Sequence, residues 1–256
     1  MLKILIIGEL CIDEFIYGEV KRFSPEAPVP VFNPIEKNTN KGMAGNVVEN
    51  IKFLHEDLEV LHWHQNDKIV KSRYCDKTSN HMFIRIDDEN IPCDGILYLS
   101  PNQRRVINES DVTIVSDYNK GLLTDSIICE IGGLSKFSII DSKRKLTQEI
   151  VDSFDFIKVN KSEYMDNKVI ADNNKEKFLI TKGKEGVTHN DRIFNSPNPQ
   201  DTIDVSGAGD TFMASFTLKY LITNNLEESI MYANNVCANV VNKKGVSLPD
   251  KKFKLK

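Results

Sequence analysis

The chain has 256 residues, a formal net charge of −4 and a hydrophobic content of 40%, enough to bury the core of one large α/β domain. Interleaved acidic and basic residues argue against a nucleic-acid binder. The apolar run at the N-terminus is too short for a membrane span and lacks a signal-peptide pattern. Five scattered cysteines without a CxxC pair argue against a disulfide framework or a zinc site. We therefore expect a cytoplasmic protein with no nucleic-acid or membrane partner.

Short apolar runs alternate with helix-like segments along most of the chain. The helix-like segments include AGNVVENIKFL and TDSIICEIGGL, and the strand-like runs are LKILIIG, LEVLHWH, VTIVSD, FSIID, FDFIKVN and KFLITKG. This alternation is typical of βαβ units and predicts an α/β fold with a doubly wound, mainly parallel sheet and helices on both faces. Two further helices are predicted near the end, roughly from Gly209 to Tyr220 and from Leu226 to Val241.

The proline-rich segment SPEAPVPVF marks an extended excursion away from the first strand. Together with the later HMFIRID run, it could form a small strand pair over a cleft. Ligands of open α/β sheets bind outside the carboxyl ends of the strands. We therefore expect functional residues in the loops after Gly8, Ser116, Asn160 and Lys182.

The stretch DVSGAGDTFMASF, residues 204–216, gathers two glycines, an alanine and a carboxylate where a helix begins. Gly207 and Gly209 allow the backbone to approach a ligand closely, and the helix start offers unpaired N–H groups and a positive dipole end to an anion. Asp210, in the first turn, could accept the proton of a hydroxyl group, as phosphoryl transfer requires. The alternative is an ordinary helix start capped by Ser206, and this turn alone does not decide between them.

Other nucleotide and metal motifs are absent or weak. No Walker motif is present, and GAGDTF lacks the third glycine of a dinucleotide fingerprint. His62 and His64 could share one strand face and bind a metal, but no third ligand stands near them, which favours a structural pair. Arg104 and Arg105 could attract a phosphate, although a solvated helix face is the simpler interpretation.

These motifs together resemble the ribokinase (PfkB) family of sugar kinases, whose D-x-x-G-A-G-D signature is present here from Asp204 to Asp210. The resemblance covers most of the chain and is strongest to the bacterial heptose 7-phosphate kinases, through the elements RFSPEAPVPVF, DYNKG and DVSGAGDT. It implies one ribokinase-like kinase domain over residues 1–256, with a small β lid at about residues 15–35 and 70–90. The implied reaction transfers the γ-phosphoryl group of ATP, with Mg²⁺, to a hydroxyl of a sugar or sugar phosphate, heptose 7-phosphate being the best guess.

On the phosphoryl side, the resemblance implies that Asp210 is the catalytic base. Three residues would supply the amides of the anion hole: Gly207, Ala208 and Gly209. Asn160 and Glu163 match the N-x-x-E motif, in which the glutamate acts on Mg²⁺ through water. The alternative for this pair is a capping box at a helix start.

On the sugar side, Asp13 at the end of the first strand would bind hydroxyl groups, the alternative being a loop-capping acid. Asn46 would also face the sugar, or cap a helix. Gly42 belongs to the family's paired-glycine motif, in which Met43 replaces the second glycine. Lys120 would meet a sugar or nucleotide phosphate, although a solvated loop lysine is nearly as reasonable.

On the nucleotide side, TKGKEG matches the segment under the ATP phosphates and ribose, although a glycine hairpin turn would look the same. Asn234 would edge the adenine pocket, and the loop ending at Gly245 would close it. The nucleotide-binding residues implied are Thr181, Lys182, Gly183, Gly186, Asn234 and Gly245. The resemblance also allows a monovalent cation as a further cofactor and a homodimer formed through the lid.

The chain is short for the family, since helical stretches after LEVLHWHQND and after NKSEY are trimmed. We therefore expect a sugar pocket that is more open or is completed by a partner chain. Two alternatives to a heptose 7-phosphate kinase stay open. The first is a kinase for another sugar phosphate or a nucleoside, and the second is a catalytically silent, ligand-binding relative with a regulatory role.

Overall fold

The structure is a computed structural model, and it describes residues 1–89, 95–197, 205–243 and 245–255. Its strands are β1 (Leu2–Gly8), β2 (Leu10–Phe23), β3 (Pro30–Met43), β4 (Leu58–Trp63), β5 (Ile69–Asp76), β6 (Met82–Asp88), β7 (Val112–Asp117), β8 (Ser138–Ser142), β9 (Phe156–Asn160), β10 (Phe178–Thr181), β11 (Val187–His189) and β12 (Arg192–Phe194). Its helices are α1 (Ala44–Leu54), α2 (Pro101–Glu109), α3 (Asp125–Leu134), α4 (Gln148–Ser153), α5 (Lys161–Asp166), α6 (Lys168–Asn173), α7 (Ala208–Thr223) and α8 (Leu226–Val240).

The larger sheet has eight strands in the order β12-β11-β10-β9-β8-β7-β1-β4. The six strands from β10 to β4 pair in parallel, and β11 and β12 add an antiparallel edge. Ile4 and Ile6 of β1 join the core under α1, α7 and α8, whereas Leu5 and Ile7 join the core under α3 and α4. Because both faces of such a strand are covered, its sequence is a continuous apolar run. The topology confirms the predicted doubly wound, mainly parallel sheet.

The smaller sheet has four strands in the order β3-β2-β5-β6. Strand β2 pairs antiparallel with β3 and parallel with β5, and β6 pairs antiparallel with β5. SPEAPVPVF leads into β3 and HMFIRID covers all but the last residue of β6, so these two segments lie at opposite edges of one sheet. The expectation that they pair with each other is therefore wrong, because β2 and β5 lie between them. Asp13 lies within β2, five residues beyond the end of β1.

Helix α7 is buried from Asp210 to Leu218 because it lies between the larger sheet, α1 and α8. Phe216 stacks on Phe212 at 5.9 Å between ring centroids and meets the edge of Phe156 at 5.4 Å. These aromatic contacts are worth about 0.5–1.5 kcal/mol each beyond the area they bury. They hold the first turn of α7 at the carboxyl edge of the larger sheet, the edge at which β7, β8 and β9 end.

Several features that the sequence left open have structural roles. Arg104 and Arg105 lie on exposed α2, where Arg104 pairs with Glu130 at 2.7 Å, as expected of a solvated helix face. The rings of His62 and His64 lie 4.7 Å apart, and the described residues contain no cluster of three or more metal-ligating side chains. The described cysteines are all free thiols, and Cys93 lies outside the described residues. No helix in the described ranges is long and apolar enough to cross a membrane.

Candidate active site

The start of α7 is a bare helix N-terminus. Its N-cap residue is Gly207, with φ at 77°, and no side chain among the described residues caps the helix, so the interpretation of Ser206 as the cap is wrong. Glycine adopts this left-handed conformation without the steric penalty of a Cβ atom. The Ala208 amide donates to the Val205 carbonyl at 3.2 Å, and the other amides of the first turn, which no described side chain caps, suit an anion. Asp204, the first residue of the motif, lies outside the described residues.

Asp210 is 5% exposed, and both of its carboxylate oxygens accept hydrogen bonds from other elements. The Asn46 amide donates to Oδ2 at 3.1 Å, and the Tyr118 hydroxyl donates to Oδ1 at 3.0 Å. Asn46 also donates to the Gly207 carbonyl at 3.3 Å and accepts a bond from the Asn50 amide at 2.9 Å. Asn46 is thus not a helix cap, because α1 begins after Met43 and the Asn46 side chain points across to α7.

Burial raises the pKa of Asp210 from 3.8 to about 6, because the charged form loses its contact with water. The hydrogen bond from Asn46 opposes this shift, the charge of Asp141 adds to it, and Lys158 and Tyr118 oppose it again. A carboxyl group with a pKa near 6 is mostly ionised at neutral pH and accepts a proton more readily than an exposed aspartate. These are the properties of a general base.

A charged cleft lies between Asp210 and the smaller sheet. Asp13 faces it and forms an ion pair with Arg73, with 2.5 Å between Oδ1 and Nη1, so it is not a loop cap. Gly42 packs directly against Asp13: a Cβ atom at Gly42 would lie 2.0 Å from Asp13 Oδ2. Arg85, on the edge strand β6, also lines the cleft. The cleft has a volume of about 580 Å³ including open solvent, which is within the range of small-molecule sites.

Met43 occupies the hinge between β3 and α1 and lines the same cleft. Its φ angle is 55°, a left-handed conformation that strains a residue with a Cβ atom. Its side chain is buried against Cys11, Ile69 and Tyr118. The hinge thus keeps a glycine-type backbone conformation, while the Met43 side chain fills space at the charged cleft.

Lys120 does not line the charged cleft. Its ammonium pairs with Glu89 at 2.5 Å, and its amide donates to the buried carboxylate of Glu9 at 2.9 Å. Lys71, which does line the cleft, shares Glu89 at 3.4 Å. The side chain of Lys120 is therefore engaged rather than freely solvated.

A second cavity lies on the opposite side of the first turn of α7. It has a volume of about 670 Å³ including open solvent, and its walls come from the β10–β11 hairpin, α7 and α8. Four of the residues expected on the nucleotide side line it together with two anion-hole residues: Thr181, Gly183, Gly186, Asn234, Ala208 and Gly209. TKGKEG is also a hairpin turn, as the alternative interpretation held, because β10 and β11 pair antiparallel around it.

Two residues expected on the nucleotide side lie elsewhere. Lys182 lines a different surface cleft, beside Tyr164 and Asp191. Gly245 lies on the side of the smaller sheet, where an added Cβ atom would be 3.4 Å from the Phe15 ring. The structure therefore does not bring either residue to the cavity that Asn234 lines.

Asn160 and Glu163 form the capping box of α5. The Asn160 side chain accepts a bond from the Glu163 amide at 3.0 Å, and the Glu163 carboxylate accepts one from the Asn160 amide at 2.7 Å. Oε1 of Glu163 also accepts bonds from the Asn160 side chain and from Lys143. With both oxygens engaged, Glu163 fits an interaction with a magnesium ion through water better than direct coordination.

Sequence reasoning missed several residues that surround Asp210. Tyr118 belongs to the DYNKG element, in which only Lys120 was singled out, and Glu9 anchors the loop by accepting from the Tyr118 amide at 2.8 Å. Asp141 and Lys158 form a buried ion pair at 2.7 Å inside apolar strand runs. A charged residue in such a run, next to the carboxyl end of a parallel strand, is the signal that could have identified them.

The raised pKa of Asp210 predicts how the stability of the protein depends on pH. Folding favours the protonated carboxyl group, so this contribution is complete below about pH 4 and is lost as the pH rises through about 6. Asp210→Asn carries no charge at any pH, so at pH 8 it should be more stable than the wild type by on the order of 3 kcal/mol. The two proteins should converge near pH 4.

Urea unfolding between pH 4 and 8 measures this difference, with the exposed carboxylate variant Asp57→Asn as the control. A difference between Asp210→Asn and the wild type that does not change with pH would contradict the buried, raised carboxyl group. The control should differ little from the wild type across this range.

Comparisons with known proteins agree with this geometry. Residues 141–252 match the family model described as pfkB family carbohydrate kinase. The "Bifunctional protein HldE" of Helicobacter acinonychis and that of Helicobacter pylori are each 30% identical over 299 residues, covering 97% of this chain. The chain spans 64% of the length of these relatives. Because the alignments are longer than the chain, the relatives carry segments that it lacks.

Solved structures share the fold along nearly the whole chain. The ribokinase of Arabidopsis thaliana, solved with ribose and ATP, has a TM-score of 0.72 at 15% identity and covers 99% of this chain and 97% of its own. A ribokinase from Thermotoga maritima has a TM-score of 0.73 at 16% identity and covers 99% of this chain and 98% of its own. The fold is thus ribokinase-like. Together with the family match over residues 141–252 and the sequence relatives, this fold makes the chain similar to the pfkB family of carbohydrate kinases.

Proposed function

We propose that the protein is an ATP-dependent kinase that transfers the γ-phosphoryl group to a hydroxyl of a sugar phosphate, with heptose 7-phosphate as the substrate. One observation carries this proposal: the first turn of α7 separates two clefts. Ala208 and Gly209 line the cavity toward the β10–β11 hairpin, and Gly207 and Asp210 line the charged cleft toward the smaller sheet. A donor in the first cleft and an acceptor in the second would meet at this turn.

The turn offers both parts that phosphoryl transfer needs from a protein. The amides of Gly207 and Gly209 and the positive end of the α7 dipole stabilise negative charge on the moving phosphoryl group, whereas the Ala208 amide donates to the Val205 carbonyl at 3.2 Å. Asp210 accepts the proton of the attacking hydroxyl group, and Tyr118 and Asn46 hold its carboxylate in place. The acceptor hydroxyl would approach from the charged cleft, since Asp210 lines that side.

The charges of the acceptor cleft favour a sugar that already carries a phosphate. Asp13 is suited to hydroxyl groups, because a carboxylate accepts two hydrogen bonds from neighbouring hydroxyls. Lys71, Arg73 and Arg85 line the same cleft and are suited to a phosphate. The resemblance to the bacterial heptose 7-phosphate kinases supplies the identity of the sugar, and the cations supply the reason for the phosphate.

Magnesium and the smaller sheet complete the proposed site. Glu163 would act on the magnesium ion of MgATP through water, and the ion would neutralise charge on the phosphate oxygens. The smaller sheet would act as a lid, closing on the acceptor to exclude water and limit ATP hydrolysis. A monovalent-cation requirement remains a separate proposal, and activity in potassium chloride against choline chloride decides it.

Two rival functions use the same clefts differently. A nucleoside kinase would need an acceptor without a phosphate, and the cations beside Asp13 count against it. A catalytically silent relative is suggested by Met43 in the hinge and by the trimmed segments. The hydrogen-bonded Asp210 at the start of α7 counts against silence, because a binding protein gains nothing from a buried general base.

The proposed function predicts the effect of Asp210→Asn on turnover. ADP release that depends on heptose 7-phosphate should fall about 10²- to 10⁴-fold, because a general base is lost. Binding of MgATP, measured by calorimetry, should change little. In the wild type, the rate should decline on the acid side with an apparent pKa near 6. ATP binding without turnover on any phosphorylated or free sugar would instead favour the silent relative.

The acceptor cleft predicts selective effects of Arg85→Met. The variant should raise the KM for heptose 7-phosphate about 10-fold or more, through loss of a charge-assisted hydrogen bond, with a much smaller effect on the unphosphorylated sugar. Arg22→Met, at an exposed position near the far end of β2, is the matched control. Equal losses on both acceptors would show that Arg85 supports the sheet and does not bind the phosphate.

The outer face of the smaller sheet supports a homodimer formed through the lid. Tyr74 pairs with Ile84 and Ser72 with Ile86, on the face opposite Asp13, and these two isoleucines are 53% and 48% exposed. Light scattering should give twice the mass of the chain for the wild type and the monomer mass for Ile84→Lys. Ile222→Lys, at an exposed position on α7, should remain dimeric. A monomeric wild type would exclude this dimer.

A further inference from the structure

Lys158 lies directly beneath the first turn of α7. It belongs to β9, is 2% exposed, and projects from the sheet face that α7 covers. A Cβ atom built on Gly209 would lie 2.9 Å from the Lys158 ammonium nitrogen. The absence of a side chain at Gly209 therefore leaves room for the ammonium immediately under the amides of the turn.

This position is electrostatically unfavourable for a cation in an empty site. The N-terminus of α7 carries a partial positive charge, and a buried ammonium beside it is repelled. Within the described residues, Asp141 is the single hydrogen-bond acceptor for Lys158, at 2.7 Å. An ammonium group has three donors, so two remain available. The charge arrangement fits a site that receives an anion.

The partner carboxylate is also incompletely satisfied. Asp141 is buried, and its Oδ1 has no hydrogen-bond partner within the described residues, although the Lys143 ammonium lies 3.7 Å away. Buried polar atoms are nearly always paired in native proteins, and exceptions often mark a ligand or water that completes the network. Asp141 and Lys158 are thus a buried pair beneath the turn, and the exposed Lys143, which also pairs with Glu163, lies at the edge of this pair.

We propose that Lys158 is a catalytic residue whose ammonium contacts the transferred phosphoryl group through the space left by Gly209. The inference rests on the proposed kinase function. As the acceptor oxygen forms its bond to the γ-phosphorus, the bond from that phosphorus to the ADP oxygen breaks, and the hydroxyl proton passes to Asp210. Lys158 stays protonated throughout and stabilises the charge on the phosphoryl oxygens with the α7 amides.

The competing explanation is that Lys158 merely neutralises Asp141. Although burial opposes its charge, Lys158 and Lys143 hold the pKa of Asp141 below its ordinary value, so the ion pair is a real contribution to the folded state. Removing Lys158 alone would leave a buried unpaired carboxylate and could destabilise the protein. The double variant Lys158→Met with Asp141→Asn removes both charges and avoids that penalty.

The test compares the affinities of a non-hydrolysable ATP analogue and of ADP, both with Mg²⁺, by calorimetry on the full chain. The wild type and Asp141→Asn should bind the ATP analogue more tightly than ADP, because the analogue carries a γ-phosphate. In Lys158→Met and in the double variant, that preference should fall about 10- to 100-fold while ADP binding is kept, as expected for loss of one charge-assisted contact. Lys136→Met, at an exposed lysine, is the control and should keep the preference.

The possible results distinguish a failure of the role proposed for Lys158 from a failure of the proposed kinase function. If both variants that lack Lys158 keep the preference for the γ-phosphate, the inference is overturned and the kinase assignment stands. If the double variant regains wild-type turnover, Lys158 only neutralises Asp141, and the inference is likewise overturned. If the wild type binds neither nucleotide, the proposed function itself fails and the role of Lys158 fails with it.

Discussion

The site depends on one buried carboxylate at the start of a helix. Asp210 is removed from water, yet the Asn46 amide and the Tyr118 hydroxyl each donate a hydrogen bond to it. These two donors come from α1 and from the loop after β7, so the carboxylate joins three distant parts of the chain. Burial alone would favour a neutral acid, and the donors keep the charged form accessible near neutral pH.

Much of the surrounding structure maintains that carboxylate. Glu9, which is fully buried, accepts from the amides of Tyr118 and Lys120 and so fixes the loop that carries the phenol. The aromatic stack of α7 on β9 fixes the helix start. Since a displacement of about 1 Å at a reacting centre can reduce a rate about 100-fold, such rigid supports are expected around a general base.

The smaller sheet adds few buried apolar side chains to the hydrophobic core, and its main contribution to the site is charged side chains. Few of its side chains are buried in large apolar clusters, whereas Asp13, Lys71 and Arg73 place three charges over the acceptor cleft. A sheet held mainly by its strand pairing and by connections at one end can move relative to a well-packed larger sheet. The strained backbone at Met43 lies where β3 passes into α1, at that connection.

The sequence by itself determined the layered α/β fold, the helix pair near the end and the importance of the Gly-Ala-Gly-Asp turn. Continuous apolar runs and glycines at a helix start are local patterns, so they can be recognised in the sequence without coordinates. Tertiary structure alone decided which side chains meet Asp210, because Asn46 and Tyr118 are separated from it by 164 and 92 residues. The tertiary structure also places Gly245 and Lys182 away from the cavity that Asn234 lines, and it places Lys158 beneath Gly209. Those relations depend on how strands and helices are packed in space, and no spacing along the chain encodes them.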